Sequence, residues 1–110
     1  MEFKSLIVYQ KSNGLYKLII DKILSNESDR TIRDQLKRAC LSIVLNIAEG
    51  SSRITKADQR HFFVIARGSA YECYAIIDII NSSEPNTVQV IQSMLGEISK
   101  MLFALIKRLS

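Results

Sequence analysis

Seven apolar residues, Val88, Ile91, Leu95, Ile98, Leu102, Leu105 and Leu109, alternate spacings of three and four across three heptads. That period belongs to the seam of a long helix lying nearly parallel or antiparallel to its neighbours. A helix of this kind needs partners of similar length, and the rest of the chain offers three. Only four glycines and one proline interrupt the 110 residues, and Asn13-Gly14 is the single β-turn dipeptide. The punctuation predicts helices over Phe3 to Leu24, Arg30 to Glu49, Thr55 to Ile80 and Thr87 to Leu109.

Each boundary has a local cause. The polar "SNESD" closes the first segment and is rich in cap formers. Gly50, just after Glu49, is expected to take the left-handed conformation that ends many helices. Thr55 and Asp58 have the spacing of a capping box. Pro85 bars continuation of the third segment, and Asn86, with Gln89 three residues on, is the expected cap of the fourth. Four helices joined by short loops make an up-down-up-down four-helix bundle, all-α and a single domain.

The second segment carries more apolar surface than such a bundle can bury. Eight of the ten residues from Ala39 to Ala48 are apolar. At 100° per residue, Ile32, Leu36, Ala39, Ile43 and Ile47 form one stripe, the expected core face. Arg30, Asp34 and Arg38 lie opposite, but further along Leu41, Leu45 and Ala48 take over that face. A helix apolar on two sides is covered on two sides. In the third segment Phe62, Ile65, Ser69, Cys73, Ile76 and Ile80 form the expected core stripe, with Val64, Tyr71 and Ala75 across from it. The small run Ala66, Gly68, Ser69 and Ala70 suits close approach of another helix. The second stripes predict a homo-oligomer.

Polar residues stand inside these greasy helices: Asn46, Glu49, Arg53, Arg67 and Glu72. A buried charge without a partner costs several kcal/mol, at order of magnitude, so these groups are expected to find one another. The expectation pairs Glu49 with Arg67 or Arg53, pairs Glu72 with an arginine of its own or a neighbouring subunit, and has Asn46 bridging two helices. Cys40 and Cys73, both in apolar surroundings, are expected as buried reduced thiols, consistent with a cytoplasmic protein.

The net charge is +4, and its distribution says more than its size. Residues 30–67 hold eight Lys and Arg against three acids; the remainder holds seven against eight. An excess of that kind is the electrostatic footprint of a nucleic-acid surface or, equally, a solvated helix face. The candidates for phosphate contact are Arg30, Arg33, Lys37 and Arg38, with Arg53, Lys56 and Arg60 around the next loop. No aromatic stacking platform or helix-turn-helix glycine accompanies them, so base-specific readout is not expected.

"QLKRACLSIVLNIAEGSSR" followed by "FFVIARGSAYE" resembles the pattern of the 23S rRNA intervening-sequence proteins, the four helix bundle protein family. The Asn-Ile-Ala-Glu-Gly stretch from Asn46 and the Ala-Arg-Gly-Ser stretch from Ala66 carry the resemblance together. "VYQKS" and "EISKMLFALIKRL" extend it over nearly the whole chain. The resemblance implies a closed homo-oligomeric ring, typically a pentamer, encoded within or near sequences inserted in the large-subunit rRNA gene. It also implies kinship with the accessory proteins of diversity-generating retroelements, which partner a reverse transcriptase and bind nucleic acid. Val44 stands where the family commonly has proline, Tyr9 where it has tryptophan, and Gln59 where phenylalanine is expected.

Three classes of function follow. The first is a non-enzymatic oligomeric module that binds RNA or DNA. The second is a scaffold for a protein partner such as a reverse transcriptase, its basic face meeting an acidic surface. The third, a small-molecule enzyme holding an anion between Glu49, Arg53 and Arg67, competes with the simpler assignment of those residues to an interface. A di-iron bundle needs two Glu-x-x-His motifs, and His61 is the only histidine. No cofactor or metal is expected. No apolar run reaches the roughly 20 residues that cross a bilayer, and "MEFKSLIVYQK" does not have the form of a signal peptide.

Overall fold

The computed structural model describes residues 2–80 and 82–110; Met1 and Asn81, the first residue of the expected third loop, lie outside it. Four α-helices, and no strand among the described residues, make up the chain: α1 (Ile7–Lys22), α2 (Arg30–Ser52), α3 (Lys56–Ile79) and α4 (Pro85–Arg108). Short 3₁₀ turns, Glu2–Ser5 and Leu24–Asn26, flank α1. Each helix packs on its neighbours in the chain, α4 closes on α1, and α2 against α3 is the most extensive pairing. Phe3, Ser51, Gln59, Phe63 and Leu109 line one hollow, which gathers the start of the chain, the end of α2, the start of α3 and the end of α4. Successive helices therefore run in opposite directions, as the loop lengths require.

The seam of α4 is as its period predicts. Ile91, Leu95, Ile98 and Leu102 are buried, with Val88, Leu105 and Leu109 packed partly against the core. From α2 come Leu36, Ala39, Cys40, Ile43 and Ile47, and from α1 Val8, Leu15 and Ile19. Asp29 caps α2 by accepting from the Thr31 and Ile32 amides. Thr55 caps α3 by accepting from the Asp58 amide at 3.2 Å. Gly14 lies within α1 without breaking it, and α2 runs on through Val44.

Three local expectations are corrected. First, α2 does not stop at Gly50: the helix continues to Ser52, and no glycine has a positive φ. Gly50 is needed for a different reason, since a Cβ there would lie 2.8 Å from the Phe63 ring and 3.2 Å from the Gln59 carbonyl. The glycine lets α3 come close as it turns back along α2. Second, α4 begins at Pro85 with Glu84 as its N-cap, so Asn86 is inside the helix. Proline fits this first position because its ring fixes a helical φ and its missing N–H would have no partner there anyway.

Third, α3 is rotated from its expected face. Its buried residues are Phe63, Ala66, Ala70, Cys73 and Ile77, while Ile65 is exposed and Phe62 and Ile76 are half-buried. Small side chains at Ala66 and Ala70 allow the helix to sit deep in the bundle. The larger Phe62, Ile65 and Ile76 flank the contact instead of filling it.

The two kinds of glycine predict opposite responses. Gly50→Ala should lower stability by about 1–3 kcal/mol through overpacking against Phe63. Gly14→Ala, where an added Cβ meets nothing within 4 Å, should raise it by about 0.5–1 kcal/mol. Denaturant unfolding followed by circular dichroism measures both.

Candidate subunit and nucleic-acid surfaces

The basic candidates fall into two groups. Arg30, Arg33, Lys37 and Arg38 are all exposed on the first half of α2. Arg30 is 3.9 Å from Asp34 in a fully solvated pair, whereas Arg33, Lys37 and Arg38 form no ion pair among the described residues. Only Arg30 and Arg33 stand in or beside the first turn of the helix. The positive end of the macrodipole lies at the N-terminus, so cations in that first turn are destabilising by a few tenths of a kcal/mol, roughly, while Lys37 and Arg38, two turns on, lie beyond its reach. Lys37 and Arg38 lie three and four residues after Asp34, a spacing that mildly supports the helix.

Arg53, Lys56 and Arg60 lie at the other end of α2, about 22 Å from Arg38 at 1.5 Å per residue. Here the cations are partly engaged. Arg53 is 3.3 Å from Glu49 and 4.7 Å above the Phe62 ring, and Arg60 Nε donates to Ser110 Oγ at 3.2 Å. The seven candidates thus form two separated groups, of which only the first is dense in unpaired charge. His61, exposed at the start of α3, stands edge-on to Phe62.

The polar residues of α2 and α3 meet only in part. Asn46 donates to the Ser42 carbonyl at 2.8 Å and to Ser42 Oγ at 3.0 Å, both in its own helix. The bond between helices is made by Ser42 and Ser69, whose hydroxyls are 2.8 Å apart. Glu49 takes Arg53, not Arg67, and also accepts from Ser52. Glu72 is exposed and forms no ion pair within the chain among the described residues. Of the expected contacts the Glu49–Arg53 pair is present, Asn46 bonds within its own helix and does not bridge two, and rotation of α3 carries Arg67 away from α2 toward α4.

Arg67 lies in a groove of about 600 Å³ between α3 and α4. Its Nη2 donates to the Tyr71 hydroxyl at 3.2 Å, and its guanidinium is 5.0 and 5.2 Å from the Tyr71 and Phe103 ring centres. Its Nε is shut off from solvent without an acceptor, an uncommon state for a charged donor. Tyr74 and Phe103 form the walls with Tyr71, Ala70 and Leu95 form the floor, and Lys100 and Asp78 stand at the edges. Phe103, Tyr74, Lys100 and Asp78 went unnoticed in the sequence. The available signal was Phe103, an aromatic residue off the α4 seam, with Gly96 two turns below it on the same side.

Apolar residues on the outer face of α2 are likewise uncovered. Leu45 is 56% exposed and Leu41 is 37% exposed, with Ala48 half-buried beside them. Val64 and Tyr71 are exposed on α3. Leu41, Leu45, Lys37, Arg38 and Asn46 border a shallow hollow on α2, so the first basic group and the apolar ridge are contiguous. Among the described residues no His, Cys, Asp and Glu cluster could hold a metal, and no helix is long and apolar enough to cross a membrane.

Four antiparallel helices around one core, with two uncovered apolar faces and a cationic flank, define a small helical-bundle protein built on side-by-side packing. Within that class the chain belongs to the 23S rRNA-intervening sequence protein family, whose family model matches residues 4–104. The fold is shared with a crystallised protein of unknown function from the S23 ribosomal protein family of Bacteroides thetaiotaomicron. That protein is 24% identical and superposes with a TM-score of 0.74 over 92% of this chain and 99% of its own. No curated protein matches the chain.

Cys40 and Cys73 are free, buried and adjacent across α2 and α3. A hydrogen bond with Cys40, then burial, then the charge of Glu72 push the Cys73 thiol up from its ordinary value of 9.0. In the unfolded chain the thiol ionises near that ordinary value, while the folded chain keeps its proton. Stability from this site is thus complete below about pH 9 and should fall as pH rises beyond it. Denaturation midpoints of the wild type and Cys73→Ala between pH 7 and 10.5 test this: the wild type should lose more with rising pH.

Proposed function

We propose that the protein is a non-enzymatic module that assembles into a closed homo-oligomeric ring, a pentamer, and binds RNA or DNA through the basic flank of α2. The observation that carries the proposal is the set of exposed, unpaired cations, Arg33, Lys37 and Arg38, gathered within two turns of α2 and bordered by the exposed Leu41 and Leu45. A ring repeats this flank around its axis: five copies of +4 give about +20, enough to attract a polyanion at long range. Contacts of this type go to phosphates, so recognition is sequence-tolerant and dependent on salt. Arg30 extends the flank, and Arg53, Lys56 and Arg60 supply a second, weaker one.

Light scattering of the native protein reads the subunit number, and a monomer at micromolar concentration would overturn the ring. Binding of a mixed-sequence single-stranded RNA, followed by fluorescence anisotropy, should weaken as salt rises from 50 to 200 mM. Replacing both Arg33 and Lys37 by alanine should weaken it further and flatten the slope of log K against log salt by about 1.4, about 0.7 for each phosphate no longer neutralised. Binding that ignores salt and both substitutions would reject the nucleic-acid surface and favour an acidic protein as the partner.

A further inference from the structure

The two uncovered apolar faces lie on different sides of the bundle and have opposite shapes. One is a ridge: Leu41 and Leu45, one turn apart on the outer face of α2, with Arg38 before them and Glu49 after them. The other is the groove between α3 and α4, walled by Tyr71, Tyr74 and Phe103, with Arg67 toward one end and Asp78 toward the other. Resting on the oligomeric reading above, we infer that the ridge of one copy seats in the groove of the next, so that association is head-to-tail.

Charge and length fix the register. Arg38 and Glu49 stand eleven residues apart on α2, and Arg67 and Asp78 stand eleven apart on α3. Both separations correspond to about 16 Å along a helix. In a helical-wheel projection each pair falls on one face of its helix. With α2 laid antiparallel to the α3 of the next copy, Glu49 meets Arg67 and Arg38 meets Asp78. Leu41 and Leu45 then fall between them, against Tyr74 and Tyr71. The reverse direction would set Glu49 against Asp78 and Arg38 against Arg67, and like charges brought together in this way are repulsive.

The groove also holds an unmet hydrogen-bonding demand. Arg67 carries a guanidinium stacked on two rings, with its Nε donor unsatisfied. The Glu49 carboxylate is half-exposed and bonded only on one side, to Arg53 and Ser52. A carboxylate can accept from several donors at once, and an Arg–carboxylate pair is among the strongest available. A ridge-on-ridge dimer would also bring Arg38 to Glu49, but it would leave the three aromatic rings and Arg67 uncovered. Because ridge and groove are distinct surfaces, each copy keeps one of each free until a ring closes. Arg38 is then taken up at the contact, and Arg30, Arg33 and Lys37 remain for the polyanion.

Complementation tests the pairing directly. Leu45→Glu spoils the ridge and leaves the groove; Phe103→Glu spoils the groove and leaves the ridge. Both side chains are about half exposed in the single chain, so the fold should persist, and circular dichroism checks it. By light scattering the wild type should be a ring and each variant alone a monomer. An equimolar mixture at about 100 µM should give a dimer of one copy each, since only one intact contact can form. Retention of ring mass by Phe103→Glu would overturn the groove, and retention by Leu45→Glu would overturn the ridge. A mixture in which both variants stay monomeric, together with no cross-linked ladder from the double cysteine variant below, would overturn their pairing. A monomeric wild type would instead remove the ring reading itself, and this contact with it. Cross-linking with a bifunctional maleimide guards against a weak isolated contact. In the otherwise native oligomer, Leu45→Cys combined with Phe103→Cys should give a ladder up to the ring, while Leu45→Cys alone should give none. Strong dimer from Leu45→Cys alone would mean ridge-on-ridge association and would end the proposal.

Discussion

The close approach of α2 and α3 decides the rest of this molecule. It is made where side chains are smallest: Gly50 under the Phe63 ring, Ala66 and Ala70 on the buried face of α3, and the Ser42–Ser69 hydroxyl pair at the flank. A chain that kept larger residues at these points would hold the two helices further apart, and α3 would settle with Phe62, Ile65 and Ile76 inward. Packing favours the deeper seat because it removes more surface from water on both helices and leaves no void between them. Once α3 is seated so, Arg67, Tyr71 and Tyr74 have nowhere to lie but toward α4. The groove is thus a consequence of small residues at the α2–α3 contact, one of which, Ala70, is also its floor.

The parts of the fold written in hydrophobic period were legible in the sequence. Ile91, Leu95, Ile98 and Leu102 repeat along α4 and are buried, and the double stripe of α2 appears as buried Ile43 and Ile47 opposite exposed Leu41 and Leu45. What was not legible depended on contact distance. A helical wheel ranks positions by greasiness, so it places Ile65 inside and overlooks Ala66 and Ala70, although the latter set the depth of packing. Gly50 shows the same limit. Its place after an apolar run suggests a helix end, and only the Phe63 ring above it reveals a demand for space. The groove was hidden for a third reason: its walls come from two helices some thirty residues apart, and no single-helix pattern contains both.

Charge placement follows a separate logic. Most ionisable residues are solvated singly or in local pairs such as Arg53 with Glu49, which add little to stability. The cations in the first half of α2 are the densest such group: Arg33, Lys37 and Arg38 stand within two turns, with no ion pair among the described residues. Asp29 caps the start of this helix with a carboxylate, which also suits the positive end of the dipole. The cap keeps the helix start ordered while Arg33 and Lys37 remain unpaired, so the flank is presented on a rigid rod and not on a loop. Rigid presentation would suit the proposed repeated, low-specificity surface, because each phosphate contact would then be made without a further loss of backbone entropy.

A ring is also the arrangement in which modest contacts of this size suffice. Covering Leu41, Leu45, Tyr71, Tyr74 and Phe103 yields at most about 1.5–3 kcal/mol for each side chain fully buried, and these begin half-covered. Bringing two free chains together costs about 4–15 kcal/mol in translational and rotational freedom. One ridge in one groove would therefore leave a dimer weak. In an open chain of n copies, n − 1 contacts oppose n − 1 such losses, so lengthening the chain does not improve the balance. Closure adds the last contact with no further chain to immobilise, at an effective concentration set by geometry instead of by the solution. In the proposed assembly of a bundle whose exposed apolar faces are small and unlike each other, closing the ring would turn a marginal association into a stable one.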